Sequence, residues 1–158
     1  MKTYSLLIAL LIPLFAASAC KRQDSHAGHN HAPADGGHGH TAPHGGVLVE
    51  LGDHAFNLEF VVQPEAGRLM VYLLSGHADQ FVRSNMPSME LAIMDGAEAR
   101  SLVLQPMANV ITGETVGNTS LFAAEAEWLK KGTPFTGQVR SVSLGGARFQ
   151  SISFAYPF

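Results

Sequence analysis

The sequence has few of the features that mark an enzyme, a nucleic-acid-binding protein or a disulfide-stabilised domain. Its 158 residues include one cysteine, Cys20, so no intrachain disulfide can form. There are 10 Lys and Arg against 13 Asp and Glu, without any basic run, which argues against nucleic acid as a partner. G-x-S-x-G, P-loop, H-E-x-x-H and dinucleotide-binding motifs are all missing. We therefore expect a protein that is not an enzyme.

A further absence divides the chain into parts. Residues 21–46 contain no Val, Ile, Leu, Met, Phe, Trp or Tyr. Such a stretch cannot bury enough apolar surface to offset the entropy of ordering it. We predict a disordered linker over residues 20–46, with an r.m.s. span of about 28 Å as a flexible coil. The remaining residues, 47–158, are enough for one domain with a single core.

The N-terminus has the pattern of a secretory signal peptide over residues 1–19. Lys2 precedes an apolar run from Tyr4 to Phe15, and small residues lead into Cys20. The sequence Ala17-Ser18-Ala19-Cys20 resembles the lipobox of bacterial lipoproteins, which implies that Cys20 is acylated and anchors the chain in a membrane. Lys21, in place of Asp, favours the outer membrane and a periplasm-facing domain. The alternative is an ordinary secretory signal followed by a chance cysteine.

The linker carries most of the histidines of the chain. Six of the eight lie within it: His26, His29, His31, His38, His40 and His44. Four of them form two His-x-His pairs, and residues i and i+2 of an extended chain project to the same side. Two such pairs give four imidazole nitrogens for one ion. We expect loose binding of a divalent transition metal, Zn²⁺, Cu²⁺ or Ni²⁺, and no tightly bound cofactor. Alternatively, the histidines are only polar residues of a stalk.

Metal-binding patterns are weaker in residues 47–158. His54 and His77 fall at a strand start and in a loop, where exposed, unliganded histidines are the simpler interpretation. Met86 and Met89 offer two thioethers that suit Cu(I). Met89 shares the strand parity of Leu91, however, so we expect it in the core.

The rest of the chain reads as β-strands separated by turns. Residues 54–62 alternate apolar and polar side chains, and Gly52-Asp53 predicts a hairpin with the preceding strand. Further strands are predicted over 69–74, 88–94, 100–104, 120–128, 138–144 and 149–156. A change of apolar parity between Phe149 and Ile152 predicts a β-bulge. The only predicted helix is a single turn near 127–131. This pattern predicts an all-β fold, an antiparallel β-sandwich of the immunoglobulin type or similar.

The stretch from Pro43 to His54, with the strands around Phe56–Val61 and Leu69–Leu74, resembles small bacterial periplasmic domains. These occur alone behind His-rich leaders, or near the N-terminus of periplasmic adaptor proteins of heavy-metal efflux systems. Only His44-Gly45-Gly46 can be matched position by position. The resemblance implies metal handling in the cell envelope, with a metal transporter or efflux component as partner. The chain lacks the long helical hairpin of a full adaptor.

Overall fold

The computed structural model describes residues 40–157. The predicted signal peptide, the predicted lipidation site at Cys20, and His26, His29, His31 and His38 lie outside the described residues. The first strand begins at Val47.

The described part of the chain is built almost entirely of β-strands. They are β1 (Val47–Leu51), β2 (Phe56–Gln63), β3 (Arg68–Ser75), β4 (Met89–Asp95), β5 (Glu98–Met107), β6 (Leu121–Glu125), β7 (Phe135–Leu144) and β8 (Ala147–Tyr156). Two short 3₁₀ helices cover Pro64–Ala66 and Glu127–Lys131. Between residues 40 and 157, no helix has the length and apolar character needed to span a membrane.

All neighbouring strands are antiparallel, and they form one sheet in the order β1-β2-β3-β6-β5-β4-β7-β8. Strand β5 belongs to both halves of this sheet. Its first part, Glu98–Leu104, pairs with β4, whereas Gln105–Met107 pairs with β6. The sheet curls until it is nearly closed into a barrel. The all-β antiparallel class is thus confirmed, but the predicted two-sheet sandwich is not.

Alternation along the strands supplies the core inside the curled sheet. Leu58 and Phe60 of β2 are fully buried, as is Val71 of β3. Phe60 stacks on Phe154 of β8, with ring centroids 3.9 Å apart. Because β2 and β8 are distant in strand order, this contact joins the two ends of the sheet across its interior.

Several local predictions can be compared with these elements. The first hairpin and the helical turn at Glu127–Lys131 are confirmed. The strand predicted over 120–128 ends at Glu125. The predicted β-bulge in β8 is wrong, because the pairs Val139–Ile152 and Ser141–Gln150 keep the same register on both sides of Ser151, with one residue on each strand between them. Ser151 instead has a positive φ of 54°, which turns the side chains without inserting a residue.

Candidate functional site

The end of the linker is attached to the folded domain through one buried carboxylate. Glu59 lies on the face of β2 opposite Leu58 and Phe60, yet its side chain is 0% exposed. Its Oε1 accepts hydrogen bonds from the backbone N–H groups of His44 (2.7 Å) and Gly46 (3.1 Å). Its Oε2 lies 2.7 Å from Nδ1 of His44. Residues 44–46 therefore cover the outer face of β2.

This attachment requires glycine at position 46. A Cβ atom there would stand 2.1 Å from the carbonyl oxygen of Phe60 and 2.8 Å from the side chain of Val61. Glycine is the only residue that lets two backbones approach so closely. His44-Gly45-Gly46 is thus a structural motif: the glycine admits the chain, and the carboxylate of Glu59 holds it.

The imidazole of His44 is also fixed by aromatic contacts. It stacks on Tyr72 of β3 with ring centroids 3.7 Å apart and planes 4° from parallel. Phe81 lies on another side of it, at 5.8 Å. Burial raises the pKa of the Tyr72 hydroxyl above its usual value, and the charge of Glu59 raises it further. Tyr72 is therefore neutral at pH 7, as a stacking partner for His44.

Three other histidines meet at one end of the sheet. The turn between β1 and β2 carries His54, and the loop after β3 carries His77. The two connections are neighbours because Phe56, at the start of β2, pairs with Ser75, at the end of β3. The ring of His40 lies 5.3 Å from that of His77 and 6.5 Å from that of His54. The last part of the linker thus brings a third imidazole to the two of the domain.

Carboxylates surround this group, which we call the histidine end (His40, His54 and His77). Oε2 of Glu50 lies 3.1 Å from Nδ1 of His54. Asp79 accepts a hydrogen bond of 2.6 Å from the Ser75 hydroxyl. That bond, aided by the nearby imidazoles of His77 and His40, lowers the pKa of the Asp79 carboxyl. Asp79 is therefore ionised at neutral pH beside two of the three histidines.

The histidine end is not a finished metal centre. Within residues 40–157, no three His, Cys, Asp or Glu side chains are arranged so that they could hold an ion as they stand. His54 and His77 are exposed, as expected. Met89 is fully buried in the core, as predicted, and the sulfur of Met86 accepts a hydrogen bond from the Ser143 N–H. We assign neither methionine to a metal site.

Two buried carboxylates were not predicted. Glu59 alternates with apolar residues along β2, a pattern that is typical of a solvated strand face, but residues 44–46 cover it. Glu114, in the loop between β5 and β6, is 3% exposed and was not singled out. The one available indication was the glycine pair at 45–46, which predicts a close backbone approach.

Comparisons with known proteins give no further guidance, since no family model, no curated protein and no solved structure matches this chain.

Proposed function

We propose that this chain is a lipid-anchored envelope protein that captures a divalent transition metal ion and either buffers it or delivers it to a transporter. Acylated Cys20 would anchor it in the outer membrane, and the folded domain would face the periplasm. The linker would supply most of the ligands, and the β domain would present them to a partner such as an efflux component. The concentration of six imidazoles between His26 and His44 is the observation that carries the proposal.

The chemistry of the linker supports this proposal. Neutral imidazole is the commonest protein ligand of Zn²⁺, Cu²⁺ and Ni²⁺. A chain without a fixed geometry can release an ion by losing one imidazole at a time, which suits exchange with a partner. Small residues between the histidines let the backbone turn around an ion without steric cost.

The contacts of the domain give the linker a fixed end. His44 is held by Glu59 and Tyr72, so an ion captured upstream remains close to the folded domain. The same contacts show that His44 has a structural task. A test that replaces all six histidines would therefore confuse loss of ligands with loss of this attachment.

The proposal is tested by titrating the chain from Lys21 onward with Zn²⁺ in a calorimeter. A variant with His26, His29, His31 and His38 changed to Ser should bind fewer ions, because half of the histidines are gone. The matched control changes four other polar residues of the linker, Gln23, Asp24, Asn30 and Asp35, to Ser and should bind as the wild type does. Equal stoichiometry in all three proteins would contradict the proposal.

A second function is favoured by one observation on the domain. The loop between β5 and β6 exposes three apolar side chains, Val110 (88%), Ile111 (92%) and Val116 (68%), and apolar residues grouped on a surface are typical of contact sites. In this alternative the protein is an interaction lipoprotein and the linker is only a stalk. Cells that carry the four-serine variant would then tolerate zinc as the wild type does, whereas V110S/I111S would lose the function.

A further inference from the structure

Two members of the histidine end, His54 and His77, are brought to the same place by backbone packing. Gly76 packs against the β1–β2 turn so closely that a Cβ there would stand 1.8 Å from the carbonyl oxygen of His54. His77 is the next residue. The close approach of these two backbones, which only glycine permits, keeps His54 and His77 at the same end of the sheet.

One of the two ring separations already suits ligands of one ion, and the other is slightly longer. Two imidazoles that share an ion at ~2.0–2.1 Å from each nitrogen have ring centroids roughly 5–6 Å apart. The centroid of His40 lies 5.3 Å from that of His77 and 6.5 Å from that of His54. Because His54 and His77 are exposed, rotation about their side-chain bonds is enough to turn their nitrogens towards a common point.

The surrounding groups are those that metal-binding histidines use. With Glu50 at Nδ1 of His54, the Nε2 atom of that ring is left for a metal ion. A carboxylate at the second ring nitrogen is the usual outer partner of a metal-bound histidine. Asp79, held by Ser75, adds a carboxylate oxygen, and oxygen is a common fourth ligand of zinc.

We propose that His40, His54 and His77, with Asp79, form a binding site for one divalent transition metal ion at the histidine end of the sheet. This site belongs to the proposed metal-binding function, and the choice of a divalent transition metal as its ligand rests on that function. It gives the domain one ion held in a defined geometry, in addition to ions held loosely by the linker. Metal binding there would close His40 onto the domain.

The test compares two variants that each lose two imidazoles. In His54→Asn/His77→Asn the domain ligands are gone, and Asn suits position 54 because its φ is +53°. In the matched control, His26→Ser/His29→Ser, the linker loses the same number. Zn²⁺ is titrated into each full chain, and the melting temperature is measured with and without the metal.

The proposal predicts that the domain variant binds its tightest Zn²⁺ ion more than about 100-fold more weakly than the wild type. Loss of the outer hydrogen-bond partners of a metal site alone lowers affinity by about 10–100-fold. The control keeps that ion. Zn²⁺ at about 100 times its Kd should raise the melting temperature of wild type and control by on the order of 10 °C, and that of the domain variant hardly at all.

Equal weakening in both variants, or a melting temperature that zinc leaves unchanged in the wild type, would overturn the site and leave linker binding intact. Absence of Zn²⁺ binding to the wild type would overturn the proposed function as well. The melting temperature of the metal-free domain variant shows whether it folds, and His40→Ser, outside all strands, tests the same site without touching either turn.

Discussion

At the scale of single residues, Glu59 is a carboxylate whose side chain is fully buried. A buried carboxylate is costly unless hydrogen bonds replace the water it has lost. Glu59 receives two backbone N–H groups and faces one imidazole nitrogen, and all three come from residues 44–46. The carboxylate and the segment that covers it therefore depend on each other.

Replacing Glu59 with Gln should lower the free energy of unfolding by about 1–3 kcal/mol, because an amide cannot accept on both of its ends. Urea denaturation measures this loss. The expected structural result is release of residues 44–46 while the rest of the sheet is kept, which amide exchange at Gly46 would detect.

An exposed carboxylate provides the control. Glu125 is paired with Arg68 on the surface, and its side chain is 62% exposed. Its change to Gln should alter stability by no more than about 0.5 kcal/mol. A Glu59→Gln loss as small as this would show that the buried contact contributes nothing particular.

The alternation of Leu58, Glu59 and Phe60 predicted the strand and which of its faces points to the core. It did not predict that the opposite face, with Glu59, is also buried. The period of two reports which face a residue occupies, not whether that face is covered. Glu59 is covered by residues 44–46, whose composition is that of a linker. Its docking depends on a hydrogen-bond geometry that appears only when β2 is already formed.

At the scale of elements, the loop between β5 and β6 is organised by a second buried carboxylate. Glu114 accepts hydrogen bonds from the backbone N–H of Ser120 (2.9 Å) and from the hydroxyls of Ser120 and Thr119. Burial alone would raise its pKa, but these hydrogen bonds outweigh it, so the pKa of Glu114 lies below its usual value. Nε of Arg83 stands 3.7 Å away.

A lowered pKa in the folded state means that the ionised form stabilises the fold. This contribution is present above the unfolded-state pKa of about 4.3 and is lost as the pH falls through the folded-state value. Glu114→Gln should therefore cost about 1–3 kcal/mol at pH 7 and progressively less in acid. Urea denaturation at pH 7, 5 and 3 measures the difference.

The control for acid dependence is Glu127→Gln, since that side chain is 87% exposed. Its difference from the wild type should stay small at each pH. If the cost of Glu114→Gln were the same at pH 3 as at pH 7, ionisation of Glu114 would not be the source of the stability.

The histidine end shows that predicting strands and turns from the sequence does not predict which turns lie side by side. The turns that carry His54 and His77 were both located from the sequence. Their meeting requires that β2 pair with β1 on one side and β3 on the other, with Phe56 opposite both Leu51 and Ser75. Pairing of consecutive strands is common enough to guess, but the register that brings two particular side chains together is not.

At the scale of the whole molecule, the sheet has two free edges, β1 and β8, that approach each other. Phe56 and Phe149 meet near this seam, edge to face, with ring centroids 6.0 Å apart. Inside, Phe60 and Phe154 stack. Aromatic side chains thus hold together edges that backbone hydrogen bonds do not join along their length.

Phe149→Ala should lower the free energy of unfolding by about 2 kcal/mol, since a partly buried aromatic ring is lost from the seam. Amides of β1 and β8 should also exchange faster than those of β4. Val103→Ala, at a side chain that is 44% exposed, is the control and should cost less than about 0.5 kcal/mol. Equal losses would show that the seam has no special part in stability.

The strand pattern predicted an all-β antiparallel protein but not its closure. Sandwich and barrel have the same alternation and the same short turns; they differ in whether a strand passes from one half to the other. Here β5 does so, pairing first with β4 and then, from Gln105, with β6. Pro106 lies in the second part of β5, but a proline alone does not predict which strand the chain pairs with next.

The pairing of β3 with β6 also governs the order in which the chain can fold. Arg68 finds its partner Glu125 57 positions later. Strands β1, β2 and β3 can form a meander early. One edge of β3 stays unpaired until β6 has been synthesised. Contacts of such long sequence separation slow folding, on the order of milliseconds to seconds. A chain of this topology can form the meander as it emerges, but it completes the sheet only after β6, β7 and β8 have emerged.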